Sequence, residues 1–195
     1  NKYTTLDSPA GQGLQVIKNS NMSIQSGGGN YYWDATTGTE VINKALGASG
    51  MPTKAALNST HNYVWYDDSS KTMVISGRIP VKGSISLLKG NGSNNLINYE
   101  GKGTLLAYDP VTSTNGDVTI TTSLKTTAFP GTNLIGVMAQ HDLMLGVGSQ
   151  LEFMGGFYAQ NKIAMDKQST LMGTIVGNYF DMGGQVPSIY QVPAL

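Results

Sequence analysis

From about residue 72 onward, short apolar runs alternate with Gly, Asn and Asp. Thr72-Met73-Val74-Ile75-Ser76 is one such run and Gly83-Ser84-Ile85-Ser86-Leu87-Leu88 another. Leu96-Ile97-Asn98-Tyr99, Gly103-Thr104-Leu105-Leu106-Ala107-Tyr108 and Asp117-Val118-Thr119-Ile120-Thr121 follow, the last alternating with period two. Runs this short, rich in Val, Ile, Thr and Tyr and closely spaced, read as the strands of a mainly β chain. Gly and Asn at their ends supply the positive φ that tight corners need.

The later runs also repeat one another. Residues 138–145 read MAQHDLML and residues 158–165 read YAQNKIAM, preceded by Gly136-Val137 and by Gly155-Gly156-Phe157. Leu151-Glu152-Phe153-Met154-Gly155 returns as Ser169-Thr170-Leu171-Met172-Gly173. A period of about 20 residues marks a repeat architecture rather than a sandwich, which needs alternation but no recurrence. The expectation is a right-handed parallel β-helix, or β-solenoid, over residues 71–185, with five or six coils. One coil cannot bury its inner face alone; stacked coils bury a continuous column. Leu143 then stacks near Ile163 and Leu145 near Met165, while His141, Asp142, Asn161 and Lys162 stand at a corner. The recurring Met138, Met144, Met154, Met165, Met172 and Met182 read as core filler.

Residues 1–70 lack the repeat but hold both Trp residues. Leu14-Gln15-Val16-Ile17 and Met22-Ser23-Ile24 look like strands. Thr39 through Gly47 reads as a short helix, with Thr39 as N-cap, Glu40 at the positive end of the dipole and Gly47 as terminator. Pro52 can open a second short helix through Leu57. This segment is expected to be a small α+β cap, because a bare terminal coil exposes an edge that pairs with other chains. At the other end, residues 186–195 carry Pro187 and Pro193, which cannot donate ladder hydrogen bonds. They are expected to leave the stack and pack on it as a tail.

Composition narrows the function. Charged residues make up 12% of the 195, the net charge is zero, Arg78 is the only arginine, and there is no cysteine. No Lys/Arg run offers an electrostatic footprint for DNA or an anionic membrane. Disulfides and thiolate metal sites are excluded. No apolar stretch reaches the length of a membrane helix. The chain opens at Asn1 without an initiator Met, which reads as a processed or trimmed piece.

Three stretches resemble one family. They are Gly173 to Pro193, which includes Tyr179-Phe180-Asp181-Met182 and Val186-Pro187-Ser188-Ile189-Tyr190-Gln191-Val192-Pro193; Ile97 to Ala107; and Gly136 to Leu143. Together they resemble the C-terminal β-solenoid region of bacterial PilX-type pilus-assembly proteins, including the large competence pilins (ComZ-like), over roughly residues 70–195. The resemblance implies an extracellular, bacterial cell-surface location and other type IV pilus or filament subunits as partners. It brings no catalytic motif.

Two aromatic clusters, Tyr31-Tyr32-Trp33 and Tyr63-Val64-Trp65-Tyr66, are the candidate ligand- or partner-binding residues. Exposed, they stack on sugars or a partner; buried, they fasten the N-terminal segment to the first coil. Alternation sends Tyr63 and Trp65 to one face and Val64 and Tyr66 to the other. Asp67, Asp68 and Asp109 are weak candidates for hard oxygen ligands to calcium. His141 beside Asp142 has acid–base chemistry available, but His61 is the only other histidine. The reading that follows is a non-catalytic structural or adhesive domain of a surface-filament protein, without a cofactor. A carbohydrate-active β-helix protein, binder or lyase, is the alternative. A lyase acting on uronates needs cations to hold the substrate carboxylate, and one Arg with scattered Lys supplies few.

Overall fold

A computed structural model describes residues 5–6, 15–90, 95–112, 114–146, 150–165, 168–184 and 186–192. Leu14, Gln185 and residues 193–195, on which parts of the expected first strand and tail fall, lie outside the described residues.

The chain is mainly β, and most of its strands pair in parallel. The strand pairs form three columns, and their inward residues belong to one buried cluster. In the first column Met22 pairs with Ile85, Ile85 with Val118, Val118 with Leu143, Leu143 with Ile163, and Ile163 with Phe180. In the second, Ile97 pairs with Leu124, Leu124 with Phe153, Phe153 with Leu171, and Leu171 with Ile189. In the third, Ile79 pairs with Leu105, Leu105 with Val137, Val137 with Phe157, and Phe157 with Ile175. The chain visits the columns in the order first, second, third, and then begins the next level. The long strand Leu96–Tyr108 turns its corner with its pairing to Thr72–Lys82 unbroken, whereas Glu152–Met165 shifts register against Thr170–Asp181 between Ala159 and Lys162.

These pairs are inward positions, and period-two alternation explains why. Ile85, Leu105, Leu124, Val137, Leu143, Phe153 and Ile163 are all buried in one cluster, whereas their sequence neighbours face outward. A ladder of Val, Leu, Ile and Phe suits a parallel strand whose inner face never meets water. Leu143↔Ile163 and Leu145↔Met165 are register partners, as the repeat predicts. Turns between columns are held by side chains one level apart: Gln150 donates to Gln168 at 2.7 Å, and the Leu151 amide to the Ser169 hydroxyl at 3.4 Å.

The corner from the second to the third column depends on glycine. Gly155 and Gly173 are register partners with φ of 152° and 141°. A Cβ on Gly173 collides with the carbonyl oxygen of Gly155. The shared glycine in the two repeats is thus a close backbone approach, not chance.

Several expectations need correction. Thr39 to Gly47 is not a helix: Thr39–Ile42 is a strand, paired antiparallel with Tyr31–Asp34. β-Branched Thr39, Val41 and Ile42 suit a strand, and a partner strand is already in place. The turn between them is fixed by Asp34, whose carboxylate accepts from the Thr36 and Thr37 amides at 2.8 and 3.2 Å. The second expected helix shrinks to a single 3-10 turn, Lys54–Ala56. The N-terminal part is therefore not an α+β cap. Met22–Gln25 belongs to the first column, and Tyr63–Asp67 pairs antiparallel with Thr72–Lys82, so the division at residue 70 falls inside a hairpin. Antiparallel strands Tyr63–Asp67, Tyr31–Asp34 and Thr39–Ile42 extend the second column beyond its first level. The described part of the tail, residues 186–192, does not leave the stack. Ser188–Gln191 adds a parallel strand beside Thr170–Gly173, with Pro187 just before it, where no ladder hydrogen bond is lost. Of the six recurring methionines only Met165 is fully buried; Met138, Met172 and Met182 are exposed and Met144 and Met154 intermediate. Met138, Met144, Met154 and Met172 sit on the outward parity of their strands.

Candidate functional site

Tyr31, Tyr32, Trp33, Tyr63, Trp65 and Tyr66 are all buried. They do not form an exposed platform for sugars. Alternation divides them as expected. Tyr32, Tyr63 and Trp65 pack with Val41 and Met51 in a satellite cluster; Tyr31, Trp33, Val64 and Tyr66 join the main core. Trp65 donates its indole N–H to the Pro52 carbonyl at 2.9 Å. Lys18 lies 5.4 Å from the Trp33 ring and pairs with Glu40 at 2.6 Å, and Tyr31 donates its hydroxyl to the same Glu40. The aromatics thus fasten the antiparallel extension to the stack.

The carboxylates proposed for calcium are engaged by nearby donors, Asp67 and Asp109 within their own turns and Asp68 across to the turn at Gly27–Gly29. Asp67 accepts from the Ser69 amide and from the Ser69 and Ser70 hydroxyls at 3.0, 2.8 and 2.7 Å. Asp68 accepts from the Gly27 and Gly29 amides and pairs with Lys71 at 2.6 Å. Asp109 accepts from the Val111 amide and from Asn115 at 2.9 Å each. Burial alone would raise the Asp67 and Asp68 carboxyls, but these hydrogen bonds outweigh it and hold both below the ordinary value of 3.8. Among the described residues no group of three or more His, Cys, Asp or Glu side chains is arranged to hold a metal ion.

His141 and Asp142 do stand at a corner. Asp117 accepts from His141 Nδ1 at 2.8 Å and from the Asp142 amide at 3.0 Å. Asp142 accepts from Asn161 Nδ2 at 2.7 Å and from the Lys162 amide at 3.2 Å, one level on. Asn161 also faces His141 Nε2 at 3.4 Å. This is a polar ladder linking three levels, with both imidazole nitrogens engaged. His61 is elsewhere, with Nδ1 2.8 Å from Asp34. The two histidines therefore belong to separate turns.

A concave surface lies on the outer side of the third column. Arg78, Thr104, Gly136, Gly156 and Thr174 are successive register partners in one outward row. The next outward row is Pro80, Leu106, Met138, Tyr158 and Val176. Beside Leu134, Gly136 and Gly156 leave a groove of about 600 Å³, lined also by Arg78, Lys102, Thr104 and Thr174. A smaller depression of about 390 Å³, bordered by Leu106, Tyr108, Met138, Tyr158 and Gln160, adjoins the same face. A Cβ on Gly156 meets nothing within 4 Å, so the groove floor there is open space.

Compared with protein-family models, with curated proteins and with solved structures, the chain matches none. The likeness to PilX-type proteins stands on the quoted residues alone.

The groove, with Arg78 and Lys102 in its lining, can hold an extended ligand against the sheet, while Tyr108 and Tyr158 border the adjoining depression rather than the groove itself. Its residues were not singled out from sequence. The signal was present, however: Gly136 and Gly156 occupy equivalent positions in the repeat, and outward parity follows from the inward Val137 and Phe157.

Proposed function

We propose that the three columns wind as a right-handed parallel β-helix, and that the chain is a non-catalytic, extracellular structural and adhesive domain of a surface-filament protein of the type IV pilus-associated kind. The observation that supports this most is the outward row Leu106, Met138, Tyr158 and Val176. Met138, Tyr158 and Val176 are exposed side by side on the flank of an in-register stack. A contiguous apolar row on a low-charge surface suits lasting contact with another subunit or a host surface. Fractionating intact source cells tests it. The chain is expected in the sheared filament fraction and accessible to antibody on unbroken cells. Recovery only from the cell interior contradicts the reading.

The groove favours a second reading, a carbohydrate-active β-helix that binds a polysaccharide. Arg78 and Lys102 suit an acidic sugar, and Tyr158 offers a ring for stacking. Binding to an acidic glycan that is lost in Gly156→Leu, a change that fills the groove floor, supports this reading; turnover of the glycan makes the protein an enzyme.

A further inference from the structure

The outer face of the third column carries two kinds of chemistry side by side. Arg78 and Lys102, on adjacent strands, line the groove, and no acidic residue lines it with them. Lys18, Lys54, Lys71, Lys125 and Lys162 each pair with a carboxylate. Among the described residues, Arg78 and Lys102 have no such partner. The adjoining depression differs. Tyr108, Met138, Gln140, Tyr158 and Gln160 border it, and none of its lining residues is charged. Lys82, the register partner of Tyr108, has Asp109 beside it. Gln140 Oε1 accepts from the Asp109 amide at 2.6 Å, which fixes the side chain and leaves Nε2 to donate. Tyr158 is 38% exposed, and Gln160, two residues further along the same strand, is exposed as well.

We infer that groove and depression form one site for an acidic oligosaccharide, in which a carboxylate-bearing sugar sits at Arg78 and Lys102 and an uncharged sugar stacks on Tyr158. The inference rests on the carbohydrate-binding reading above and assigns which unit lies where. Arg78 presents paired N–H donors that match a carboxylate, and Lys102 adds a second positive charge. At the depression a charged sugar would lose its water without gaining a counter-charge. An uncharged sugar offers an apolar face to the Tyr158 ring and hydroxyls to the Gln140 and Gln160 amides, a side-chain type that both donates and accepts. Arg78 and Tyr158 stand three strands and two residues apart in the register. At about 4.8 Å per strand and about 3.3 Å per residue the separation is roughly 16 Å, the length of about three sugar rings. Between them Gly136 and Gly156 carry no side chain, so the intervening rings lie directly on the backbone, close to the Thr104 hydroxyl. Nucleic acid is the other polyanion with rings to stack, but two cations match too few phosphates to hold it.

Calorimetric titration of the full chain with a hyaluronan tetrasaccharide, which alternates carboxylate-bearing and uncharged sugars, is the test. The carboxyl-reduced tetrasaccharide, tetragalacturonate and a short single-stranded DNA are titrated beside it. The unaltered chain is expected to bind the alternating tetrasaccharide about tenfold or more tighter than either other sugar. Arg78→Ala with Lys102→Ala, and separately Tyr158→Ser with Gln160→Ala, are each expected to weaken that binding about tenfold or more. The melting temperature is expected to hold in both, because all four side chains are exposed. Salt separates the two halves: binding left in the Tyr158→Ser, Gln160→Ala variant falls as salt rises, and binding left in the other variant does not. If only the Arg78, Lys102 variant loses binding, or if tetragalacturonate binds as tightly as the alternating glycan, the division of the site falls and the acidic-glycan reading stands. If neither variant changes the binding, the glycan sits elsewhere and the inference falls. If none of the sugars binds, the carbohydrate reading falls with it. DNA binding that is lost in the same two variants would make the face a nucleic-acid site and overturn the inference.

Discussion

Leu143 lies in register with Ile163 on adjacent parallel strands, and both side chains are fully buried. The pair joins two levels of the stack through one shared core, so neither side chain can be trimmed without leaving a void. Leu143→Ala is expected to cost about 2–5 kcal/mol in denaturant unfolding. Met172→Gln, exposed on the outward parity, is expected to stay within about 0.5 kcal/mol of the unaltered chain. Equal effects would mean that the inward and outward assignments are mistaken.

Neighbouring glycines are expected to respond differently. Gly173→Ala forces a Cβ onto the carbonyl of Gly155 at a φ of 141°, and a loss of roughly 1–3 kcal/mol is expected from the strain. Gly156→Ala places its methyl in the open groove and is expected to be near neutral. Thermal melts of the two variants side by side decide this. A tolerated Gly173→Ala would remove the close approach from the account.

Acid should loosen the N-terminal hairpins. Burial alone would raise the Asp34 carboxyl, but hydrogen bonds from His61, Thr36 and Thr37 outweigh it and hold it below 3.8, as happens at Asp67 and Asp68. A carboxyl whose folded value is depressed adds stability above its unfolded value and loses it as pH falls through the folded one. Stability is therefore expected to be flat near neutrality and to fall below about pH 4. Asp34→Asn is expected to lower stability by about 1–3 kcal/mol at pH 7, with the difference shrinking in acid. A difference that is constant with pH would show that the charge contributes nothing.

The repeat could be read from sequence only where its levels are short. Asp142 and Lys162, 20 residues apart, and Gln150 and Gln168, 18 apart, mark the compact levels whose periodicity is plain. Earlier levels pair Ile85 with Val118 and Val118 with Leu143, at wider and unequal offsets. Their corners hold longer loops, such as the one around Asp109. A surface loop lengthens at small entropic cost, so it hides a period without disturbing the stack. The N-terminal strand Thr39–Ile42 is hidden in the sequence for a different reason. Thr39, Glu40 and Gly47 carry real helix signals, but Tyr31–Asp34 offers a strand edge, and tertiary pairing overrides a weak local preference. The groove was missed because the residues that make it, Gly136 and Gly156, act through the side chains they lack.

Parallel strands stacked in register are the feature from which the rest of the fold follows. Thr119, Met144 and Ala164 are outward partners on three successive strands of the first column. Spin labels placed in pairs at these positions measure the stack directly. Thr119 with Met144, and Met144 with Ala164, are expected to show backbone separations of one strand spacing, about 4.8 Å, and Thr119 with Ala164 two spacings, about 10 Å. Label tethers will broaden these values, but the order must hold, with the outer pair the most distant. Labels at Thr119 and Ala164 as close as neighbours, or any adjacent pair well beyond two spacings, would contradict the stack and every functional reading built on it.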